Sequence, residues 1–235
     1  MNSLHDSMSL LRVHHILMLK VGKWHCGMSS REMLPVNRGF HSSFGFLSGA
    51  EDHFSNMRSG YTDLWRDNAP AYGENNRTYS TYMYTAEALR VLRPYGEASA
   101  ARRRFMPPLF LLLAYQATHT PLQVPQNWTT LFPHVDHLGR RQFHAMTAAL
   151  DASVGTVVKA LREYEMFDDS LIIFASDNGG GRDIGNNWPL RGGKNSDFEG
   201  GVRALAILNG GRMPSGARGQ VLREGIFHVA DWFVP

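Results

Sequence analysis

Apolar residues occur along this chain in short continuous runs, separated by long stretches rich in polar residues and glycine. The run at 171–174 is typical of a buried parallel strand, and the run at 109–114 predicts a second buried strand. Apolar positions at 202–208 predict a further strand. Those at 10–19 predict a short helix that leads into a strand.

Two segments show helical spacing instead. Between 141 and 164 the apolar residues recur every three or four positions, which predicts an amphipathic helix. A second helix is predicted over 82–92, ended by Pro94 because proline lacks the backbone N–H that a helix interior needs. Strands followed by helices, with polar residues at the strand ends, predict an α/β domain with a central, mostly parallel sheet flanked by helices.

Length and charge narrow the class of protein. The chain has 235 residues, 43% of them hydrophobic, which is enough for a substantial core. The net charge of +3 suits an anionic substrate, and the absence of a long Lys/Arg run argues against a nucleic-acid partner. No apolar run is long enough to predict a membrane span, and no signal-peptide pattern is found at the N-terminus.

Cysteine and asparagine bear on the cellular compartment. The single cysteine, Cys26, excludes an internal disulfide, and it is predicted to be a small, partly buried side chain. Asn76 and Asn127 each begin an N-glycosylation sequon, which favours the secretory pathway. Both asparagines lie in polar stretches, so we expect both to be exposed to solvent.

Candidate chemistry begins where the 171–174 strand ends. Asp177 and Asn178 follow that strand, at the position where open α/β sheets bind ligands, and their hard oxygen atoms suit a cation such as calcium. Lys194 stands further on, in a glycine-rich loop whose backbone can approach an anion closely. Asp-Asn-Gly by itself is more often an ordinary turn.

Two earlier segments place cationic groups near other strand ends. Lys23 and His25 are two residues apart, hence on the same side of an extended backbone, where they could hold an anion and shuttle a proton. A strand end with both side chains in solvent is the alternative. His119 follows the 109–114 strand, although a lone histidine in a loop is usually structural or exposed.

These segments resemble the sulfatase family, in particular its arylsulfatase B, I and J branch. The resemblance is carried by GKWH at 22–25, PLQVP at 121–125, SDNGG at 176–180, GNNWPLRGGK at 185–194 and EGGVR at 199–203, in the family's order. It covers about residues 20–235. It implies an alkaline-phosphatase-like catalytic domain that is incomplete at both ends, without the family's smaller C-terminal domain.

The resemblance also implies roles for single residues. Lys23 and His25 would contact the catalytic formylglycine and the sulfate. His119 would contact the sulfate and protonate the leaving oxygen, and Lys194 would bind the sulfate of the substrate. Asp177 and Asn178 would be ligands of a calcium ion.

The sequence departs from the family before Lys23. The family's paired calcium aspartates and its C-x-P-x-R motif, whose cysteine becomes the formylglycine nucleophile, are not found there. Calcium takes about six to eight oxygen ligands, so Asp177 and Asn178 would be only part of its site. Cys26 lacks the proline and arginine of the motif and is not expected to be the nucleophile.

Three hypotheses follow. The first is a lysosomal or secreted sulfuric ester hydrolase that acts on an aryl sulfate or a sulfated glycan, with N-acetylgalactosamine 4-sulfate in glycosaminoglycans as the best guess. The second is a non-catalytic protein that binds sulfated glycans through Lys23, His119 and Lys194. The third is an incomplete gene model of an active enzyme. The 235-residue chain itself is expected to lack turnover.

Overall fold

The computed structural model describes residues 15–75, 77–222 and 227–233. The strands in these ranges are β1 (Leu17–Gly22), β2 (Ser42–Gly45), β3 (Met57–Arg58), β4 (Tyr61–Thr62), β5 (Trp65–Arg66), β6 (Ala69–Pro70), β7 (Leu109–Ala114), β8 (Ile172–Ala175) and β9 (Ala206–Asn209). The α-helices are α1 (Ser80–Glu97), α2 (Ala100–Arg103), α3 (Gln126–Thr129), α4 (Leu138–Glu163) and α5 (Glu199–Val202). Short 3-10 helices cover Arg31–Met33, Pro35–Arg38, Phe167–Asp169, Ser215–Ala217 and Val229–Phe233.

The main sheet has five strands in the order β6-β5-β2-β1-β7. β1 pairs in parallel with β2 on one side and with β7 on the other. The two short strands β5 and β6 extend the sheet in antiparallel fashion. The α/β class is therefore confirmed, with a sheet that is mixed. Its three parallel strands bring their carboxyl ends to one edge.

Helix α1 packs against the sheet through apolar side chains, and α4 packs against α1. Tyr84 of α1 is fully buried against Phe44 and Phe46, which flank the end of β2. Nearer the other end of α1, Leu92 packs with Ala160 and Leu161 of α4, and the first residues of β7 and β8 join this cluster. Burial of this apolar surface stabilises the arrangement of the strands and helices.

The structure corrects the direction of the 171–174 strand. β8 pairs antiparallel with β9, and its residues alternate between half-buried and exposed, with Ile173 44% exposed. A continuous apolar run marks a strand but carries no information about the direction of its partner. The predicted 202–208 strand begins only at Ala206, because residues 199–202 form α5.

The predicted helices are both present, with different ends. α4 begins at Leu138, where the Nδ1 atom of His137 accepts a hydrogen bond from the Arg140 N–H at 3.2 Å. α1 continues to Glu97 with Pro94 inside it, so the proline does not end the helix where the sequence predicted. Residues 10–19 were predicted to form a short helix that leads into a strand. Residues 10–14 of this segment lie outside the described residues, and the strand is β1, which begins at Leu17.

Lys20 and Glu51 are ionisable residues that are buried in the protein. The Lys20 side chain is in the core with 1% of the residue exposed, and its ammonium donates to the carbonyl of Gly22. Glu51 accepts hydrogen bonds from the Tyr84 hydroxyl at 2.6 Å and from Asn56 at 2.9 Å. Burial lowers the pKa of Lys20 to about 7 and raises the pKa of Glu51 to about 8.

Replacing Lys20 with methionine is expected to stabilise the fold by about 1–4 kcal/mol at pH 6, because a buried charge is exchanged for an apolar chain of similar volume. The pKa of Lys20 is lower in the folded state, so its cost is largest below pH 7 and fades as the pH rises towards 10.5. The stability gained by the methionine variant should therefore decrease as the pH rises from 7 towards 10.5. Urea unfolding at several pH values measures it, with Lys159→Met on the exposed face of α4 as the control. Equal or lower stability at pH 6 would contradict this prediction.

Candidate functional site

Lys23 and His119 lie at the edge where the parallel strands end. The N–H of Lys23, the residue after β1, donates to the carbonyl of Ala114, the last residue of β7, at 2.8 Å. His119 follows in the turn after β7, with its own N–H bonded to the Gln116 carbonyl at 2.8 Å. Parallel pairing of β1 and β7 thus brings two segments about 90 residues apart in sequence to one place, the usual position of ligand sites in such sheets.

The loop that carries Lys194 is fixed to the segment that follows Asp177. The Lys194 N–H donates to the carbonyl of Gly180 at 3.0 Å, and the side chain of Asn187 bonds both the N–H and the carbonyl of Gly180 at 2.9 Å. A fourth bond runs from the N–H of Gly179 to the carbonyl of Gly201 at 2.9 Å. The two segments can approach this closely because glycine has no Cβ atom. A Cβ atom at Gly179 or Gly201 would collide with neighbouring backbone.

Electrostatic interactions link Lys23 and His119 to Asp177 and Lys194. Burial lowers the pKa of Lys23; the Asp177 carboxylate opposes this effect, and the ammonium of Lys194 adds to it. The pKa of His119 is also lowered, first by burial and then by Lys194 and Lys23, with Asp177 again in opposition. Asp177 and Lys194 therefore both act on Lys23 and on His119, and we call Lys23, His119, Asp177 and Lys194 the anion site.

Arg58 is a further cation at the anion site that the sequence did not reveal. Its guanidinium lowers the pKa of Lys23, and it donates to the Ala50 carbonyl at 3.2 Å. Arg58 belongs to the short β3–β4 hairpin, which has no recognisable motif. The fold of the chain, and not a sequence pattern, places Arg58 near Lys23.

The hydrogen bonding of His119 fixes the position of its proton. Nδ1 lies 2.7 Å from the Thr120 carbonyl, which can only accept, so Nδ1 carries a hydrogen. Nε2 makes no hydrogen bond within the described part of the chain and is available to a ligand. It can accept a proton in the neutral ring and donate one in the charged ring.

His53 supports the turn of His119, and no sequence pattern marks it. The ring is fully buried, with Nε2 donating to the His119 carbonyl at 3.1 Å and Nδ1 accepting from the Ser80 hydroxyl at 3.0 Å. The N–H of His53 donates to Gln123 at 2.8 Å, and Gln123 donates to Asp52 at 2.6 Å. Burial would raise the pKa of Asp52, but these and neighbouring hydrogen bonds outweigh it and lower that pKa to about 2.

The backbone at His25 departs from the extended form that the sequence predicted. It has a φ of 50°, so the two-residue alternation of an extended strand ends before it, and its ring is exposed. The ring rests on Gly49, where a Cβ atom would lie 2.8 Å from it. Cys26 is exposed, not partly buried as predicted, because it lies in the open turn after His25.

Substituting Gly49 with alanine is expected to displace the His25 ring, because the added methyl group would overlap it. The measurement is the imidazole C–H chemical shifts of His25 in NMR spectra. Gly155→Ala is the matched control, since a Cβ atom at this position in α4 meets nothing within 4 Å. Unchanged His25 shifts in the Gly49 variant would show that the ring does not depend on this contact.

Asp177 and Asn178 would supply only part of a calcium site. Asp177 is exposed, and the Nδ2 atom of Asn178 donates to Gly179 at 2.9 Å, which leaves Oδ1 as a second oxygen. No cluster of three or more His, Cys, Asp or Glu residues occurs among the residues that the structure describes. Calcium takes about six to eight oxygen ligands, so the oxygen atoms of Asp177 and Asn178 would not be sufficient to bind it.

The two predicted glycosylation positions have different outcomes. Asn127 lies in the short helix α3 and is exposed, as predicted. Asn76 lies outside the described residues. None of the helices in the described ranges has the length and apolar character needed to cross a bilayer.

Lys23 and His119 at the carboxyl ends of parallel strands, with the Asp177 carboxylate and the Lys194 ammonium acting on them, indicate an anion-binding α/β protein. The sulfatase family model matches residues 8–212 of this chain. The chain belongs to the sulfatase family.

Known relatives agree with this assignment. Arylsulfatase J of Mus musculus is 36% identical over 220 residues, which cover 91% of this chain and 35% of the mouse protein. N-acetylgalactosamine-6-sulfatase of Homo sapiens is 26% identical, covering 80% of this chain and 36% of the human protein. The crystal structure of Ps i-CgsB in complex with k-i-k-neocarrahexaose has a TM-score of 0.77 at 28% identity, covering 88% of this chain and 48% of that one. The chain thus spans about a third of the length of these curated relatives.

Proposed function

We propose that this chain is the sulfate-binding part of a sulfuric ester hydrolase that acts on sulfated glycans. The observation that carries the proposal is that Lys23 and His119 follow the paired strands β1 and β7, and that the Lys194 ammonium acts on both of them. Two neighbouring cations, with Arg58 beside them, repel one another when the site is empty. A sulfate group relieves that repulsion, and partial burial strengthens its attraction to the cations.

The side chains of the anion site would divide the work of hydrolysis. Lys23 and Lys194 would hold the sulfate oxygens and stabilise the charge that develops on them. His119 would donate a proton from Nε2 to the oxygen of the departing alcohol. Sulfatases generally use calcium and a formylglycine; the only cysteine in these 235 residues lies outside a C-x-P-x-R motif, so we assign no nucleophile within them.

The substrate we propose is N-acetylgalactosamine 4-sulfate within a glycosaminoglycan. The relatives named N-acetylgalactosamine-6-sulfatase support the sugar, and the 4-position rests on the resemblance to the arylsulfatase B, I and J branch, with arylsulfatase J among the relatives. The structural neighbour Ps i-CgsB, bound to an oligosaccharide, supports a glycan over a small aryl sulfate. We further propose a lysosomal or secreted protein glycosylated at Asn76 and Asn127, on the basis of the two sequons.

Sulfate affinity is expected to rise as the pH falls from 8 to 5. The pKa of His119 is lowered in the free protein, so the ring is largely neutral near pH 7, and a bound dianion favours its protonation. Binding therefore takes up a proton, which lower pH supplies. Calorimetric titration with sulfate at several pH values measures the effect, and His119→Gln should flatten it. A profile with the same slope in both proteins would exclude His119 as the group responsible.

A non-catalytic protein that binds sulfated glycans is the second candidate. It is favoured by Cys26, the single cysteine, which is followed by glycine, methionine and two serines and lacks the proline and arginine of the family's nucleophile motif. The two candidates share the anion site and differ in turnover. Binding of a sulfated disaccharide by the chain tests what they share: if it binds no more tightly than its desulfated form, both candidates fail.

A further inference from the structure

Trp188 differs from the other tryptophans of the described residues. The indole N–H of Trp24 bonds backbone carbonyls, that of Trp65 bonds Asp63, and that of Trp128 bonds the hydroxyl of Tyr82. Trp232 packs against the ring of Phe227 at 4.3 Å. Trp188 is 84% exposed, and within the described ranges its indole forms neither a hydrogen bond nor a ring contact.

The backbone around this exposed ring is nevertheless well fixed. The Trp188 N–H donates to the side chain of Asn186 at 3.0 Å, and the carbonyl of Asn187 accepts from Leu190 at 2.7 Å. Asn187 also bonds Gly180 and Gly192 through its side chain. A large aromatic ring is therefore held out from a rigid loop, an arrangement that lets it bind a partner at low entropic cost.

The same loop connects Trp188 to the anion site. The Gly180 carbonyl accepts from both the side chain of Asn187 and the N–H of Lys194. Trp188 is therefore the residue directly after Asn187, which donates to the same carbonyl as Lys194. A ligand whose sulfate binds at Lys194 would extend its attached group into the neighbourhood of this loop.

The chemistry around Trp188 favours a sugar over an apolar protein surface. Arg182, Asp183 and Asn186 of the same loop are all exposed, so the loop that carries the ring also presents polar side chains to solvent. A pyranose presents weakly positive C–H groups on one face and hydroxyl groups at its rim. The C–H groups match the negative face of an indole, and the hydroxyls match the polar side chains around it.

We propose that Trp188 is a stacking platform for a sugar ring of the sulfated glycan, next to the anion site. This inference rests on the proposed function and adds a subsite to it. Trp188 would contact the sugar and leave the sulfate to Lys23, His119 and Lys194. It would therefore contribute to the choice between a glycan and a free sulfate ion.

The test compares two ligands, a chondroitin 4-sulfate tetrasaccharide and inorganic sulfate, by calorimetric titration of the 235-residue chain. Trp188→Ala is expected to raise the Kd of the tetrasaccharide about 3- to 10-fold and leave the Kd of sulfate unchanged. Trp188→Phe should retain most of the affinity. Phe105→Ala is the matched control, since Phe105 is 89% exposed and precedes β7, at the opposite end of that strand from His119.

Each outcome separates this inference from the function on which it rests. If the unaltered chain binds neither ligand, the proposed function fails. If it binds the tetrasaccharide and Trp188→Ala binds it equally well, the stacking platform is wrong and the proposed function stands. Equal weakening of both ligands by Trp188→Ala would also overturn the platform, because it would show that Trp188 only supports the loop of Lys194.

Discussion

Sulfate binding is expected to weaken roughly 100-fold when Lys194 is replaced with alanine, because the loss of a charged contact in a half-buried site costs a few kcal/mol. Lys194 acts on both Lys23 and His119, so it lies among the groups that would surround the anion. Its backbone N–H, which anchors the loop to Gly180, is unaffected by the substitution. The loss should therefore appear in the affinity and not in the stability of the fold.

Calorimetric titration with sulfate measures this effect, and urea unfolding checks the fold of the same variant. Lys159→Ala, at an exposed position of α4, is the control for the loss of one positive charge anywhere on the surface. An affinity change of the same size in both variants would mean that net charge, and not the anion site, attracts sulfate.

The second large effect concerns catalysis. The 235-residue chain is expected to hydrolyse aryl sulfates no faster than its own Lys194→Ala variant, even with calcium present and with co-expression of the enzyme that generates formylglycine. The loss of a nucleophile typically removes many orders of magnitude of rate, and the remaining contacts restore only a small part of it. Cys26 cannot replace it, since it lacks the motif that the modifying enzyme reads.

An aryl sulfate assay with a chromogenic leaving group measures this turnover. The comparison is a longer chain that contains a C-x-P-x-R segment ahead of Lys23, which should gain activity that disappears when the cysteine of that segment is changed to alanine. Turnover by the 235-residue chain above the Lys194→Ala control would contradict the prediction and require a different nucleophile.

Much of the anion site could be predicted because its residues lie in short motifs directly after apolar strands. Lys23, His119 and Asp177 each follow such a strand, and parallel pairing of β1 with β7 brings the first two together. The direction of β8 could not be predicted, since its continuous apolar run fits either a parallel or an antiparallel partner.

Other residues of the site depend on contacts between distant parts of the chain. Arg58 reaches Lys23 through a hairpin of two-residue strands, which have too little sequence to show a pattern. His53 bonds the carbonyl of His119, 66 positions away, so nothing in its neighbouring residues marks it. The burial of Lys20 could not be predicted either, because a lysine in a strand is expected to face solvent, whereas Lys20 occupies a core position in the otherwise apolar β1.

The most direct measurement of the central claim is the position of a bound selenate ion, a sulfate analogue that is located by its anomalous scattering in a crystal of the chain. Our account predicts an anomalous peak between Lys23, His119 and Lys194, within hydrogen-bonding distance of the Nε2 atom of His119. A peak elsewhere, or no peak at a concentration that saturates the protein in calorimetry, would contradict it.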